Sequence, residues 1–189
     1  MTTTEIKTVF TPEDLLNLPD AVNYELANGN LVERHMGSES SAIAVAVTVA
    51  LANFIRSHKL GHLFTTDCGY RCFPDDPDKV RKPDVSFVRS GRLPGNRPPE
   101  GYIQIAPDLV VEVLSPGDLA YEIDQKVAEY IAAGVHLVWV VNPRTRTVRI
   151  HRPDNSPNGP IGTAGEGDSI SGETVLPGFE CAVDEFFQI

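Results

Sequence analysis

The chain has 189 residues, 41% of them hydrophobic and 22% charged, the composition of a globular protein with a core of its own. Its 26 acidic and 16 basic residues give a net charge of −10, which excludes coating of nucleic acid or anionic membrane through bulk charge and leaves room only for a local basic cleft. Three cysteines, Cys68, Cys72 and Cys181, are too few and too odd in number for a disulfide framework. Cys68 and Cys72 stand four apart, but no second pair or histidine cluster completes a zinc site, so they read as small strand residues in a reducing compartment.

The opening "MTTTEIKTVF" lacks a basic start followed by an apolar core, so no signal peptide is expected. "FTPEDLLNLPD" (10–20) begins with Thr11 as N-cap and Pro12 in the first turn, which predicts a short helix. "YELANGNLVER" (24–34) is two short runs around Asn28-Gly29, the pattern of a hairpin. A helix is expected over 39–58. Its apolar stretch 41–55 is interrupted by Thr48 and Asn53 and falls short of the roughly 20 residues of a membrane span, so a buried helix is expected.

Strands follow at 62–73 and 82–88, then a Pro/Gly/Arg loop over 89–105 and a strand over 108–114. Ser115-Pro116-Gly117-Asp118 ends that strand and opens a helix, 118–133, closed by Gly134. Strands 135–142 and 147–152 flank the tight turn "PRTR". Residues 153–173, rich in Pro, Gly, Ser and Asn, read as a surface excursion, and "LPGFECAVDEFF" ends the chain with a short strand and a short helix. Strand, helix and strand over 108–142 make a parallel crossover, so the fold class is a mixed α/β (α+β) sheet with helices on its faces, one domain over 1–189 in a soluble, cytoplasmic protein.

Two acids interrupt apolar strands. Asp84 lies among Pro83, Val85, Phe87 and Val88, and Glu112 among Val111, Val113 and Leu114. A lone buried charge costs several kcal/mol. Two carboxylates pointing at one spot need a cation, and a hard divalent ion such as Mg²⁺ suits oxygen donors. Taken singly, Asp84 as a turn cap and Glu112 as the partner of an arginine remain equally open. Lys126 lies at the edge of the stripe Leu119, Ile123, Val127, Tyr130 and Ile131, from which its stem could carry the ammonium to the carboxylates. It is also an i,i+4 partner of Glu122, and spacing does not choose between the two.

"KPDV", then "PDLVVEVLSP", then an Asp, a Lys and a Tyr ahead of "AGV" and "VWVVNP", resemble the Uma-two restriction endonuclease family of the PD-(D/E)XK nuclease superfamily. "YELANGNLVE", "DPDKVRKPDVSFV", "PPEGY" and "VLPGF" match it in order, over about residues 10–187. The resemblance implies a restriction-endonuclease-like fold and Mg²⁺-dependent phosphodiester hydrolysis in DNA, with Mn²⁺ as substitute. It implies Asp84 and Glu112 as metal ligands with the carbonyl of Val113, and Lys126 as the lysine that assists the attacking water. The superfamily lysine usually follows the acid by two residues, where this chain has Leu114. Where the family often has Glu-His-Gly, this chain has Glu39-Ser40-Ser41, which leaves Glu39 as an accessory acid.

Basic groups for DNA are expected in "KVRK" (79–82) with Arg89, Arg92 and Arg97, and in Arg144, Arg146, Arg149 and Arg152. A homodimer is expected through the 24–34 hairpin and the "FECAVDEFF" end. Two other functions stay open: a nuclease fold that binds or assembles without cutting, and a Mg²⁺ enzyme acting on another phosphate ester.

Overall fold

The computed structural model describes residues 9–35, 37–156 and 158–188. Thr11 closes a capping box with Asp14 and starts α1 (Pro12–Asn17). The hairpin forms as expected: β1 (Tyr24–Ala27) pairs antiparallel with β2 (Asn30–Glu33). Asn28 and Gly29 both take positive φ, 51° and 71°, as a two-residue turn of this hand requires.

α2 (Ser38–His58) buries Ile43, Val47, Leu51 and Ile55, spaced by four along one stripe. At 21 residues it is longer than the apolar stretch in the sequence, and by length and composition alone it would be long and apolar enough to cross a membrane. Its buried stripe instead joins the core of the sheet.

The central sheet has six strands, β3 (Gly61–Thr65), β4 (Val85–Arg89), β5 (Leu109–Val113), β6 (Leu137–Asn142), β7 (Thr147–His151) and β8 (Ile161–Ala164), side by side in that order. β5 and β6 are parallel and every other pair is antiparallel. α3 (Ala120–Ala132) makes the parallel crossover and ends at Gly134, whose φ of 99° favours glycine. The pleat divides the core. Val85, Phe87, Leu109, Val111 and Val113 face α2, whereas Val88, Val110, Val138 and Val140 face Ile123, Val127 and Tyr130 of α3.

Four expectations are corrected. The strand expected over 62–73 stops at Thr65, and Cys68 and Cys72 lie in irregular chain held by bridges from Tyr70 to Arg81 and Ile103. A turn at Thr66-Asp67 takes the chain out of the sheet, and at Gly69 a Cβ would meet the Tyr102 ring at 2.6 Å. The strand expected over 82–88 begins only at Val85, so Asp84 precedes it. The excursion 153–173 contains β8 and β9 (Ser169–Ser171). Its Pro- and Gly-rich flanks hide a short edge strand whose Ala164 still points into the core.

The fourth correction concerns the apolar elements assigned to a dimer interface. β9 pairs with β10 (Glu180–Ala182), and Cys181, Val183, Phe186 and Phe187 complete the core beneath α2. Leu26 of the hairpin is fully buried against Leu15 and Val80. The C-terminal end is therefore not spare, whereas on the hairpin Val32 stays exposed.

Candidate active site

β5 alternates, so Glu112 shares a face with Val110 and lies beneath α3. There Tyr130 donates its hydroxyl to Glu112 Oε1 at 2.7 Å. Asp84 is on the same side of the sheet. It reaches past the end of the β4–β5 ladder and accepts the Val113 N–H at Oδ2, 2.8 Å, while Arg34 Nη2 sits 3.1 Å from Oδ1. About a quarter of the Asp84 side chain, 23%, is open to solvent.

Lys126 does not pair with Glu122. Glu122 accepts instead from the Tyr121 hydroxyl at 3.0 Å. The Lys126 ammonium turns inward and lies 3.0 Å from Oε2 of Glu25, a residue of β1 with no exposed surface. Glu25 Oε2 also takes Arg81 Nη1 at 3.0 Å, and Oε1 takes the Lys82 N–H at 2.8 Å. Arg81 continues to Glu129 on α3, and Lys79 joins Glu129 to the surface carboxylate Asp75. Charges of alternating sign thus run from solvent to Lys126.

The hairpin is held over this network by the Leu26–Val80 backbone pair, with hydrogen bonds of 2.9 and 2.8 Å. Asp84, Glu112, Val113, Lys126, Glu25 and Arg34 line one cavity of 320 Å³ between the hairpin and α3. Glu39 does not join them. It is exposed in the first turn of α2, away from the lining of this cavity and of the smaller one beside it. Its neighbour Ser40 does reach the smaller cavity, where it meets Ser115 Oγ at 2.8 Å near Asp84 and Val113. His35 lines both cavities, and its ring sits against Gly117, where a Cβ would lie 2.8 Å from it.

The electrostatics follow from burial. Burial raises the Glu112 carboxyl, Lys126 opposes that, and the nearby Asp84 and Glu25 charges add to it, leaving the group at about 7 against an ordinary 4.5. Asp84 is also raised by burial, against the pull of the Val113 N–H and Arg34. Burial would likewise raise Glu25, but Lys126 and Arg81 outweigh it and hold it at about 2. Burial disfavours the Lys126 ammonium, yet Glu112 and Glu25 prevail and raise its pKa, so it is a cation at neutral pH.

A pH dependence is expected from these directions. Between the ordinary 4.5 and about 7, folded Glu112 holds a proton that the unfolded chain has released, so stability falls as pH rises. The metal-free protein should melt at a lower temperature at pH 7.5 than at pH 5.5. Glu112→Gln keeps a carbonyl for the Tyr130 hydroxyl and should remove much of that difference. Melting curves at the two pH values check it, and an unchanged slope in the variant would contradict the assignment.

Among the described residues no three His, Cys, Asp or Glu side chains gather as a metal cluster. Asp84 and Glu112 bring two carboxylates to the cavity, hard oxygen donors of the kind a divalent cation such as Mg²⁺ takes. The cysteines do not contribute. Burial pushes the Cys68 thiol up to about 11 and the Cys72 thiol up to about 12.

The basic groups expected to meet DNA are mostly neutralised within the fold. Lys79, Arg81, Arg92, Arg146, Arg149 and Arg152 each pair with a carboxylate, and the Lys82 ammonium donates to the Ala21 carbonyl. The cavity carries more carboxylates than cations. Sequence reasoning missed Glu25, Arg34, Glu129 and His35. The signal at Glu25 was available, since it interrupts an apolar pair, Tyr24 and Leu26, as Glu112 interrupts its strand.

The family model Uma2, described as "Putative restriction endonuclease", matches residues 12–184. The chain belongs to the Uma2 family. Its structure is similar to that of a protein titled as a putative nuclease belonging to DUF820 from Anabaena variabilis ATCC 29413, with a TM-score of 0.76, 20% identity, and 94% of this chain and 97% of that one covered. At that identity the likeness establishes a shared fold. No protein of curated function matches the chain. The Uma2 match spans the hairpin that carries Glu25, the Asp84 and Glu112 strands and the Lys126 helix.

Proposed function

We propose that this Uma2 protein is a Mg²⁺-dependent endonuclease that hydrolyses phosphodiester bonds in DNA and works in the cytoplasm. The observation that carries the reading is the convergence of Asp84, Glu112 and Lys126, from two strands and a helix, on one cavity, where burial pushes the Glu112 carboxyl up to about 7. Asp84, Glu112 and the Val113 carbonyl would hold the ion. Bound there, Mg²⁺ neutralises a phosphate oxygen and lowers the pKa of a water.

Lys126 is held as a cation beside Glu25. Its ammonium donates hydrogen bonds that orient the attacking water and balances charge as the phosphorane-like transition state gains it. Glu25, itself fixed by Arg81, holds that ammonium in place. The three unpaired cysteines are consistent with a reducing compartment.

Plasmid, single-stranded and branched DNA incubated with Mg²⁺, Mn²⁺ or EDTA test the activity. Metal-dependent nicking of at least one substrate is the expected result, and binding without nicking would overturn it. A second reading, a nuclease fold that binds or assembles without cutting, is favoured by one observation, the Arg34 guanidinium resting on Asp84.

Cutting both strands of a duplex takes two such sites, so a homodimer is expected. One exposed apolar surface that could meet a second copy is the outer face of α2, where Val45 and Val49 are 61% and 53% exposed. Light scattering at micromolar concentration should give twice the chain mass, and Val45→Lys should shift it toward the monomer. A monomer mass for the unaltered protein would contradict the dimer.

A further inference from the structure

Both oxygens of Asp84 are in use: Oδ2 by the Val113 N–H at 2.8 Å and Oδ1 by Arg34 Nη2 at 3.1 Å. An ion held through Asp84 would therefore meet a guanidinium already there, and two cations cannot share that carboxylate without strong repulsion. The rest of the Arg34 head is weakly held. Its Nη1 reaches the carbonyls of Val22 and Thr66 only at 3.4 Å, the long limit for a hydrogen bond.

The backbone of Arg34, by contrast, is fixed to the base of the hairpin, its N–H donating to Asn23 at 2.8 Å. The head can thus swing on a long stem without moving the hairpin. There is space to swing into, because Arg34 borders both cavities that flank Asp84. An arginine fork matches the oxygens of a phosphate as well as those of a carboxylate.

We propose that Arg34 is a displaceable counter-ion: its guanidinium neutralises Asp84 in the free protein, gives way to the divalent cation, and then clamps the phosphate of the substrate. This inference rests on the metal-dependent reading above and adds a residue to it. It accounts for how an acid-rich cavity remains intact before metal arrives. It also brings a cation to the phosphate where Lys79, Arg81, Arg92 and Arg152 are already paired with carboxylates.

The test uses Arg34→Met, which keeps the apolar stem, and Arg34→Lys, which keeps a charge. Melting curves first establish that each variant is folded. Calorimetric titration with Mn²⁺ alone should show Arg34→Met binding about tenfold or more tightly than the unaltered protein, the effect of removing a unit charge close to the ion. Arg34→Lys should stay near the unaltered value.

With Ca²⁺ in place of Mg²⁺, binding of a fluorescent oligonucleotide should weaken about tenfold in Arg34→Met. Equal Mn²⁺ affinity in Arg34→Met and the unaltered protein, with Asp84→Asn still abolishing binding, would overturn the counter-ion role while leaving the metal site standing. No Mn²⁺ binding by any of the three would overturn both. A purely structural Arg34 would lower the melting temperature of Arg34→Met with no gain in metal affinity, and that too would overturn the proposal.

Discussion

Lys126→Met should cut single-turnover cleavage by about 10²-fold or more, the scale of a lost group that acts on the water and the transition-state charge. Methionine keeps the apolar stem and the helix propensity of lysine, so α3 should form as before. Removing one partner from a buried ion pair is usually severe, but Glu25 keeps Arg81 and the Lys82 N–H. The variant should therefore fold, with a loss of about 1–3 kcal/mol. Mn²⁺ affinity should hold or rise slightly, because a nearby positive charge opposes cation binding. Glu122→Gln is the control. Glu122 pairs with the Tyr121 hydroxyl and not with Lys126, so cleavage should barely change. Cleavage by Lys126→Met at the rate of the unaltered protein would return Lys126 to a structural role.

The second large effect is metal-linked stability. Glu112 at about 7 and the raised Asp84 both report carboxylates crowded in a buried place, and a cation should relieve that crowding. Mg²⁺ or Mn²⁺ should raise the melting temperature by mass action, about 2.7 kcal/mol of stabilisation at one hundred times the dissociation constant. Asp84→Asn and Glu112→Gln should lose that gain. Without metal, Glu112→Gln should be at least as stable as the unaltered protein at pH 7.5, since it removes a charge that burial disfavours. Asp84→Asn is different, because it takes away the partner of Arg34 and should cost some stability. An equal metal-induced shift in all three proteins would place the ion elsewhere.

How much of this could be read from the sequence depends on the range of the interaction. Glu112 was legible because a single charge in a run of Leu and Val has no local explanation, and β5 is buried on both faces. The hairpin at Asn28-Gly29, the cap at Thr11 and the end of α3 at Gly134 were legible because each is fixed by a few adjacent residues. The role of Lys126 was only half legible. The helical wheel put it at the edge of the apolar stripe, but its partner is in β1, about a hundred residues earlier, and no local period encodes that docking. The pairing of Arg81 and Glu129 was missed for the same reason, and "KVRK" was expected to meet DNA although Lys79, Arg81 and Lys82 are all buried. β8 was hidden by its flanks, since Pro and Gly mark turns whether or not a strand lies between them. Glu39 was carried over from a motif that this chain departs from at Ser40, and the fold leaves it in solvent.

The most direct measurement is anomalous diffraction from crystals soaked in Mn²⁺, collected for the unaltered protein and for Asp84→Asn. The account predicts one strong peak bounded by Asp84, Glu112 and the Val113 carbonyl, with the Arg34 guanidinium moved off Asp84, and no such peak in Asp84→Asn. A peak at another place, or an unaltered protein that binds no Mn²⁺ at millimolar concentration while Arg34 stays on Asp84, would contradict it.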